Sequence, residues 1–390
     1  MKRVYLDHSA TTPVRQEVVE AMLPYFTSEY GNASSVHGFG QRARHAMESA
    51  REKIAALLGA APDEIVFTSG GTESDNLAIK GVAAVARGRR VITSAIEHHA
   101  VLNTCTALEK QGFTAVKLPV DKHGVVHPNS LRKAMQEAAG DVALVSIMLA
   151  NNEVGTIEPI KELAAIAAEA KVPFHTDAVQ AGGHVPVDVN GLGVDLLTIA
   201  AHKFYGPKGV GVLYVRSGTR IQPLQLGGHH EKNRRAGTEN VPGIVGMARA
   251  LELACEEMDA EAERLHELRD TLQDGLMERI PDNLLNGHPT ERLPHLLNMS
   301  FENVEGESTL LSLDAVGVAA STGSACTSGT LEPSHVLTAM GIPPEIAHSS
   351  LRFSLGRANA SEDIEYVLEK LPPIIARLRE MSPFSKEAAS

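Results

Sequence analysis

Residues 321–328 read S-T-G-S-A-C-T-S, which sets Cys326, one of three cysteines in the chain, among small hydroxyl, Gly and Ala residues. Such a run cannot pack a core, whereas an inert structural cysteine sits among aliphatic groups as a small hydrophobe. Cys326 is therefore a candidate nucleophile, set against the simpler reading of a Ser/Gly surface loop that contains a cysteine. Three further segments each follow an expected strand. Residues 69–74, S-G-G-T-E-S, open a helix, so backbone N–H groups and the helix dipole would converge on an anion there. This cup lacks the Lys of a Walker loop and the spacing of a dinucleotide fingerprint, and a tight capped turn is the alternative. Residues 175–180, H-T-D-A-V-Q, place Asp177 at the carboxyl edge of the sheet, where ligands of open α/β sheets bind; a helix N-cap is the alternative. Residues 201–209, A-H-K-F-Y-G-P-K-G, place Lys203 at the same edge beside His202 and a rigid G-P-K-G turn. A lysine amine condenses with aldehydes when its pocket lowers its pKa, and a solvated lysine in a turn is the alternative. Together, an anion cup, a strand-edge acid and a strand-edge amine are the phosphate anchor, pyridinium partner and aldehyde partner that pyridoxal 5'-phosphate requires.

The elements needed to position these groups follow from the apolar pattern. From about residue 60, short apolar runs alternate with longer segments of helical period, the signature of a mostly parallel sheet covered by helices. Strands are expected at 64–69, 90–93, 115–118, 142–148, 172–175, 195–200 and 209–215, and helices at 74–86, 100–111, 130–139 and 160–170. The last two strands are joined by a connection too short for a helical crossover, which makes that pair antiparallel. Beyond residue 242 the spacing predicts a long helix over 243–279, then a strand at 296–301, a helix at 307–316, the cysteine loop, a strand at 350–354 and a final helix at 361–381. The expected organisation is a large α/β domain over 15–257 and a smaller α+β domain made of 1–14 and 258–390, with the last six residues disordered.

Composition narrows the function classes. With 36 Lys and Arg against 48 Asp and Glu, the net charge of −12 disfavours direct binding of nucleic acid. Neither a signal-peptide segment nor a membrane-spanning stretch is expected, and three cysteines without C-x-x-C spacing argue against disulfides or structural zinc. A cytoplasmic protein fits. Among 17 histidines, the adjacent pairs His98–His99 and His229–His230 lack the carboxylate spacing of a metal site, so no metal is expected. Cys105 falls in a helical apolar pattern and Cys255 on the long helix, where both are bystanders.

The segments E-H-H-A-V-L, A-N-N-E-V-G-T, H-T-D-A-V-Q, A-H-K-F-Y-G-P-K-G, R-R-A-G-T-E-N, S-G-S-A-C-T-S-G-T-L-E-P-S-H-V-L and R-F-S-L-G-R resemble, in order, cysteine desulfurases of the NifS/IscS group. The resemblance runs from Tyr5 to about Pro383, and R-R-A-G-T-E-N is closer to the nitrogen-fixation branch. It implies a fold-type I, class V aminotransferase-like enzyme that binds pyridoxal 5'-phosphate. Such an enzyme works as a homodimer, converts L-cysteine to L-alanine, holds the sulfur as a persulfide on Cys326 and passes it to an acceptor such as an iron–sulfur scaffold. It further implies that Lys203 binds the cofactor aldehyde, Asp177 pairs with the ring nitrogen and Gln180 with the ring hydroxyl. His98 would stack on the ring and share proton transfers, while Gly71, Thr72 and His202 hold the phosphate. Thr238 would reach the phosphate of the neighbouring subunit, and Asn152 and Arg352 would bind the substrate carboxylate. One position departs from the pattern: Ala200 stands where many members carry a phosphate-binding Ser. Selenocysteine lysis or aminotransfer on the same fold is the rival reading, and an aminotransferase needs no thiol at Cys326.

Overall fold

The computed structural model describes residues 2–322 and 333–381. Cys326 and the C-terminal residues expected to be disordered lie outside them. The strands are β1 (Val4–Tyr5), β2 (Ile65–Thr68), β3 (Arg90–Ser94), β4 (Thr114–Leu118), β5 (Val142–Ser146), β6 (Phe174–Asp177), β7 (Leu196–Ala200), β8 (Gly211–Val215), β9 (Asn283–Asn286), β10 (Leu296–Phe301), β11 (Val318–Ala319) and β12 (Ser350–Ser354). Every residue of β5, β7 and β8 is buried, as strands covered on both faces must be, and this is why they read as unbroken apolar runs.

β2 to β8 form one seven-stranded sheet in the order β2-β8-β7-β6-β5-β3-β4. β8 runs antiparallel to both β2 and β7, as its short connection dictates, and the remaining pairs are parallel. The crossovers are the helices Gly71–Ala83, His99–Glu109, Pro128–Glu137 and Ile160–Glu169. The first begins at Gly71, three residues earlier than the apolar spacing indicates, because a helix N-terminus carries polar residues that no hydrophobic period can mark.

One large element escaped the pattern. The helix Gly38–Leu58 buries Ala43, Met47, Ala50, Ile54 and Leu58 in the core that it shares with the long helix Val241–Arg279. Three of its buried apolar side chains are Ala (Ala43, Ala50 and Ala55, beside Met47, Ile54 and Leu58), the buried face also holds Arg51, and its first turn holds two glycines. The long helix starts two residues before its expected position, capped by Asn240, whose side chain accepts from the Gly243 N–H. Its Ile244, Met247 and Leu251 belong to the core under the large sheet, and its Leu265, Leu268, Leu272 and Leu276 to a second core. That second core is built on an antiparallel sheet of order β12-β10-β9 with the helix Ser361–Met381. The N-terminal strand β1 pairs with β11, and Leu6 joins the second core, which brings residues 7–12 to the carboxyl edge of the large sheet.

Candidate functional site

The anion cup forms where β2 ends. Gly70 adopts φ +151°, a conformation that favours glycine, and a Cβ there would meet open space. Gly71 starts the helix, and a Cβ on it would lie 2.8 Å from Val179 Cγ2, so only glycine lets this turn pack against the segment after β6. Thr72 follows in the first turn, whose N–H groups have no intrahelical acceptor. Ala200 Cβ would stand 3.7 Å from that same Gly71 position, so the residue without a hydroxyl does face the cup. His202 borders it, with Nδ1 3.2 Å from Thr11 Oγ1, and burial followed by the charges of Lys203 and Lys208 lowers its pKa to about 4.

Lys203 ends a short turn after β7 and turns its ammonium toward the N-terminal segment. Its Nζ donates to the carbonyl of Ser9 and to that of Ala10 at 3.0 Å. Gln180 is buried and donates from Nε2 to the same Ser9 carbonyl at 3.0 Å. Asp177 lies buried at the end of β6, where Oδ1 accepts from the Val179 N–H at 2.9 Å; it caps a turn and no helix follows. Burial pushes its carboxyl up to about 6, against the opposing pull of that N–H and of Lys203. Behind it Asp75 sits 3.6 Å from His175 Nε2, and His175 also reaches Thr198 Oγ1 at 3.0 Å and Ser146 Oγ at 2.8 Å. Burial raises Asp75 well above the carboxylate range, with Asp177 adding to it, and lowers His175 to about 3.

His98 caps the helix His99–Glu109, with Nδ1 accepting from the Ala100 N–H at 3.1 Å. Burial, then the Lys203 charge, lowers its pKa to about 4, so the ring is neutral and its proton resides on Nε2. Arg352 on β12 is buried. It donates from Nη1 to the Asn152 carbonyl and from Nη2 to Asp7 Oδ1, both at 2.9 Å, and its buried Nε has no partner among the described residues. Thr238 is exposed on the segment that precedes the long helix.

The structure thus brings the cup, Asp177, Gln180, His202 and Lys203 to one sheet edge, and Asn152 and Arg352 to each other. Asp7, Ser9 and Thr11 belong to this neighbourhood and were missed in the sequence. The run D-H-S-A-T-T after a two-residue strand carries the same small, hydroxyl-rich signal that marks the cysteine loop. The residues fit pyridoxal 5'-phosphate: glycines that open a helix N-terminus to a phosphate, a buried acid for a ring N–H and an amine for an aldehyde.

Residues 4–367 match the Aminotransferase class-V family. A protein named cysteine desulfurase IscS from Methanosarcina thermophila is 58% identical over 98% of this chain and 95% of its own length. One of the same name from Dictyoglomus turgidum is 58% identical over 99% of this chain and 98% of its own. Among solved structures, a NifS-like protein superposes with a TM-score of 0.90 at 42% identity, over 97% of this chain and all of that one. SspA in complex with cysteine gives a TM-score of 0.80 at 36% identity, over 90% of this chain and 98% of its own. Relatives thus carry both the IscS and the NifS-like names, and on this match the chain belongs to the class-V aminotransferase family.

Proposed function

We propose that this protein is a pyridoxal 5'-phosphate-dependent cysteine desulfurase that converts L-cysteine to L-alanine and retains the sulfur as a persulfide on Cys326. The observation that carries the reading is the convergence of Lys203 and Gln180 on the Ser9 carbonyl, beside the buried Asp177 and the Gly70–Gly71 cup. Gly71, Thr72 and His202 would hold the cofactor phosphate with Thr238 of the second subunit, Asp177 the ring nitrogen, Gln180 the ring hydroxyl, and His98 the ring face. When bound, the cofactor supplies an aldehyde for amines and an electron-poor ring that stabilises negative charge at the substrate α-carbon. Asp177 must be ionised to face a ring N–H, and an opposite charge there would pull its raised pKa back down.

The remaining steps belong to the chain's own residues. Arg352 would bind the substrate carboxylate with Asn152 alongside, its guanidinium plane held by Asp7 and the Asn152 carbonyl. Lys203 would take the α-proton, and His98, whose Nδ1 accepts from the Ala100 N–H, would share the proton transfers through Nε2. The Cys326 thiolate attacks the substrate sulfur, the S–S bond forms as the Cβ–S bond breaks, and carbon keeps the electron pair. Protonation of that carbon gives the methyl group of alanine. The protein would act as a cytoplasmic homodimer, with a cofactor domain over 15–257 and a smaller domain of 1–14 and 258–390. The persulfide would serve an acceptor such as an iron–sulfur scaffold. The test is release of sulfide and alanine from L-cysteine in the presence of a thiol reductant. Lys203→Ala and Cys326→Ala should both lose activity, with cofactor colour kept only in the latter. Undiminished sulfide release without Cys326 would contradict the persulfide route.

A further inference from the structure

The segment between β8 and the long helix is held by a buried ion pair that none of the chemistry above uses. Glu231 and Arg51 expose only 3% and 6% of their side chains. Glu231 Oε1 accepts from Arg51 Nη2 at 2.7 Å and its Oε2 from Arg51 Nη1 at 2.9 Å, a two-pronged contact between residues 180 positions apart. The pair also closes a sheet edge. β2 is the outermost strand, and on its open side Arg51 Nη1 donates to the Ile65 carbonyl at 2.8 Å while Glu231 Oε2 accepts from the Phe67 N–H at 2.9 Å. The Arg51 guanidinium lies 4.6 Å from the centre of the Phe67 ring.

Holding Glu231 there costs the backbone. Glu231, Lys232 and Asn233 take φ values of +45°, +54° and +64°, three successive left-handed residues without a glycine, a conformation that persists only where surrounding contacts impose it. A second staple follows: Arg235 donates to Glu73 Oε1 at 2.8 Å and Oε2 at 3.3 Å, and the same Glu73 accepts from the Ser69 N–H at 2.7 Å. The segment is therefore fastened to both sides of the anion cup, by Glu231 to the strand that enters it and by Arg235 to the helix that leaves it. Thr238 lies three residues beyond the second staple.

We propose that Arg51 and Glu231 are positioning residues that fix the Thr238 segment in register with the anion cup, so that one clamp sets the phosphate site of its own subunit and the Thr238 donor offered to the other. The inference rests on the cofactor reading above, since it gives the clamp a phosphate to act on. It is tested by equilibrium binding of pyridoxal 5'-phosphate and of pyridoxal, which lacks the phosphate, to the full chain stripped of cofactor.

Glu231→Gln should weaken pyridoxal phosphate by roughly tenfold, the loss expected for one charge-assisted hydrogen bond, and leave pyridoxal unchanged. Thr238→Ala should do the same, and the double variant should be no weaker than either single one. Glu231→Asp keeps a carboxylate for Arg51 but shortens its reach, and should show the same phosphate-selective loss if Glu231→Gln does not fold. Equal loss of both ligands in a folded variant, or native affinity for pyridoxal phosphate in Glu231→Asp, would overturn the positioning role. Failure of the unsubstituted protein to bind pyridoxal phosphate would instead overturn the cofactor reading.

Discussion

Lys203 and Arg352 are each held by groups from the first ten residues, and this decides what the site can do before any ligand enters. Asp7 and the Asn152 carbonyl take one hydrogen from each Nη of Arg352, which fixes the guanidinium plane, while its buried Nε has no partner among the described residues. Arg352→Lys keeps the charge but loses the fork, so KM for L-cysteine should rise roughly 10–100-fold with cofactor content unchanged; steady-state kinetics on the coloured enzyme checks this. His98 is the second residue whose state the fold sets. Burial and Lys203 hold its pKa at about 4, below its ordinary 6.5, so the ring should not titrate between pH 5 and 8. Histidine ring signals of the cofactor-free protein, assigned with His98→Gln, test this, and a midpoint near 6.5 would contradict it. Lys203 and Asp177 were legible in the sequence because Asp177 ends β6 and Lys203 follows the end of β7, where open α/β sheets place their chemistry. Asp7 was not, because its partner lies 345 residues away and no local pattern encodes that pairing.

At the scale of elements, Glu97 ties the turn after β3 to the end of β5. Its Oε1 accepts from Ser94 Oγ at 2.6 Å and from the Met148 N–H at 2.9 Å, while buried Oε2 has no partner among the described residues. Burial raises its pKa from 4.5 to about 8. A raised acid contributes stability that is full below the unfolded pKa of 4.5 and is lost as pH climbs through the folded value near 8. Glu97→Gln retains the accepting oxygen without the titration. Its Tm should therefore fall less than that of the native protein between pH 5 and 8, and parallel curves would refute the assignment. The strands were legible because buried parallel strands are unbroken apolar runs. The Gly38–Leu58 helix was not, because its buried face mixes three Ala and a buried Arg51 with Met47, Ile54 and Leu58, and two glycines stand in its first turn.

Across the whole molecule, the Val241–Arg279 helix contributes to both large cores, as does β10, which puts Leu296 in the first and Leu297, Met299 and Phe301 in the second. Leu272 is fully buried in the second, so Leu272→Ala should cost about 2–5 kcal/mol in denaturant unfolding, with the cofactor site unaltered in absorbance. The long helix and the change of character after residue 242 were visible in the sequence, as was the mostly parallel sheet. The return of the N-terminal strand to β11 carries residues 7–12 into the site, and two residues of strand give too little pattern to announce it. The central claim is that sulfur leaves cysteine onto Cys326, and the direct measurement is intact-protein mass after a single turnover with L-cysteine and no reductant. One added sulfur per chain, mapped to Cys326 and matched by one alanine released, is the predicted result. Alanine and free sulfide without an added sulfur, or sulfur mapped to Cys105 or Cys255, would contradict it.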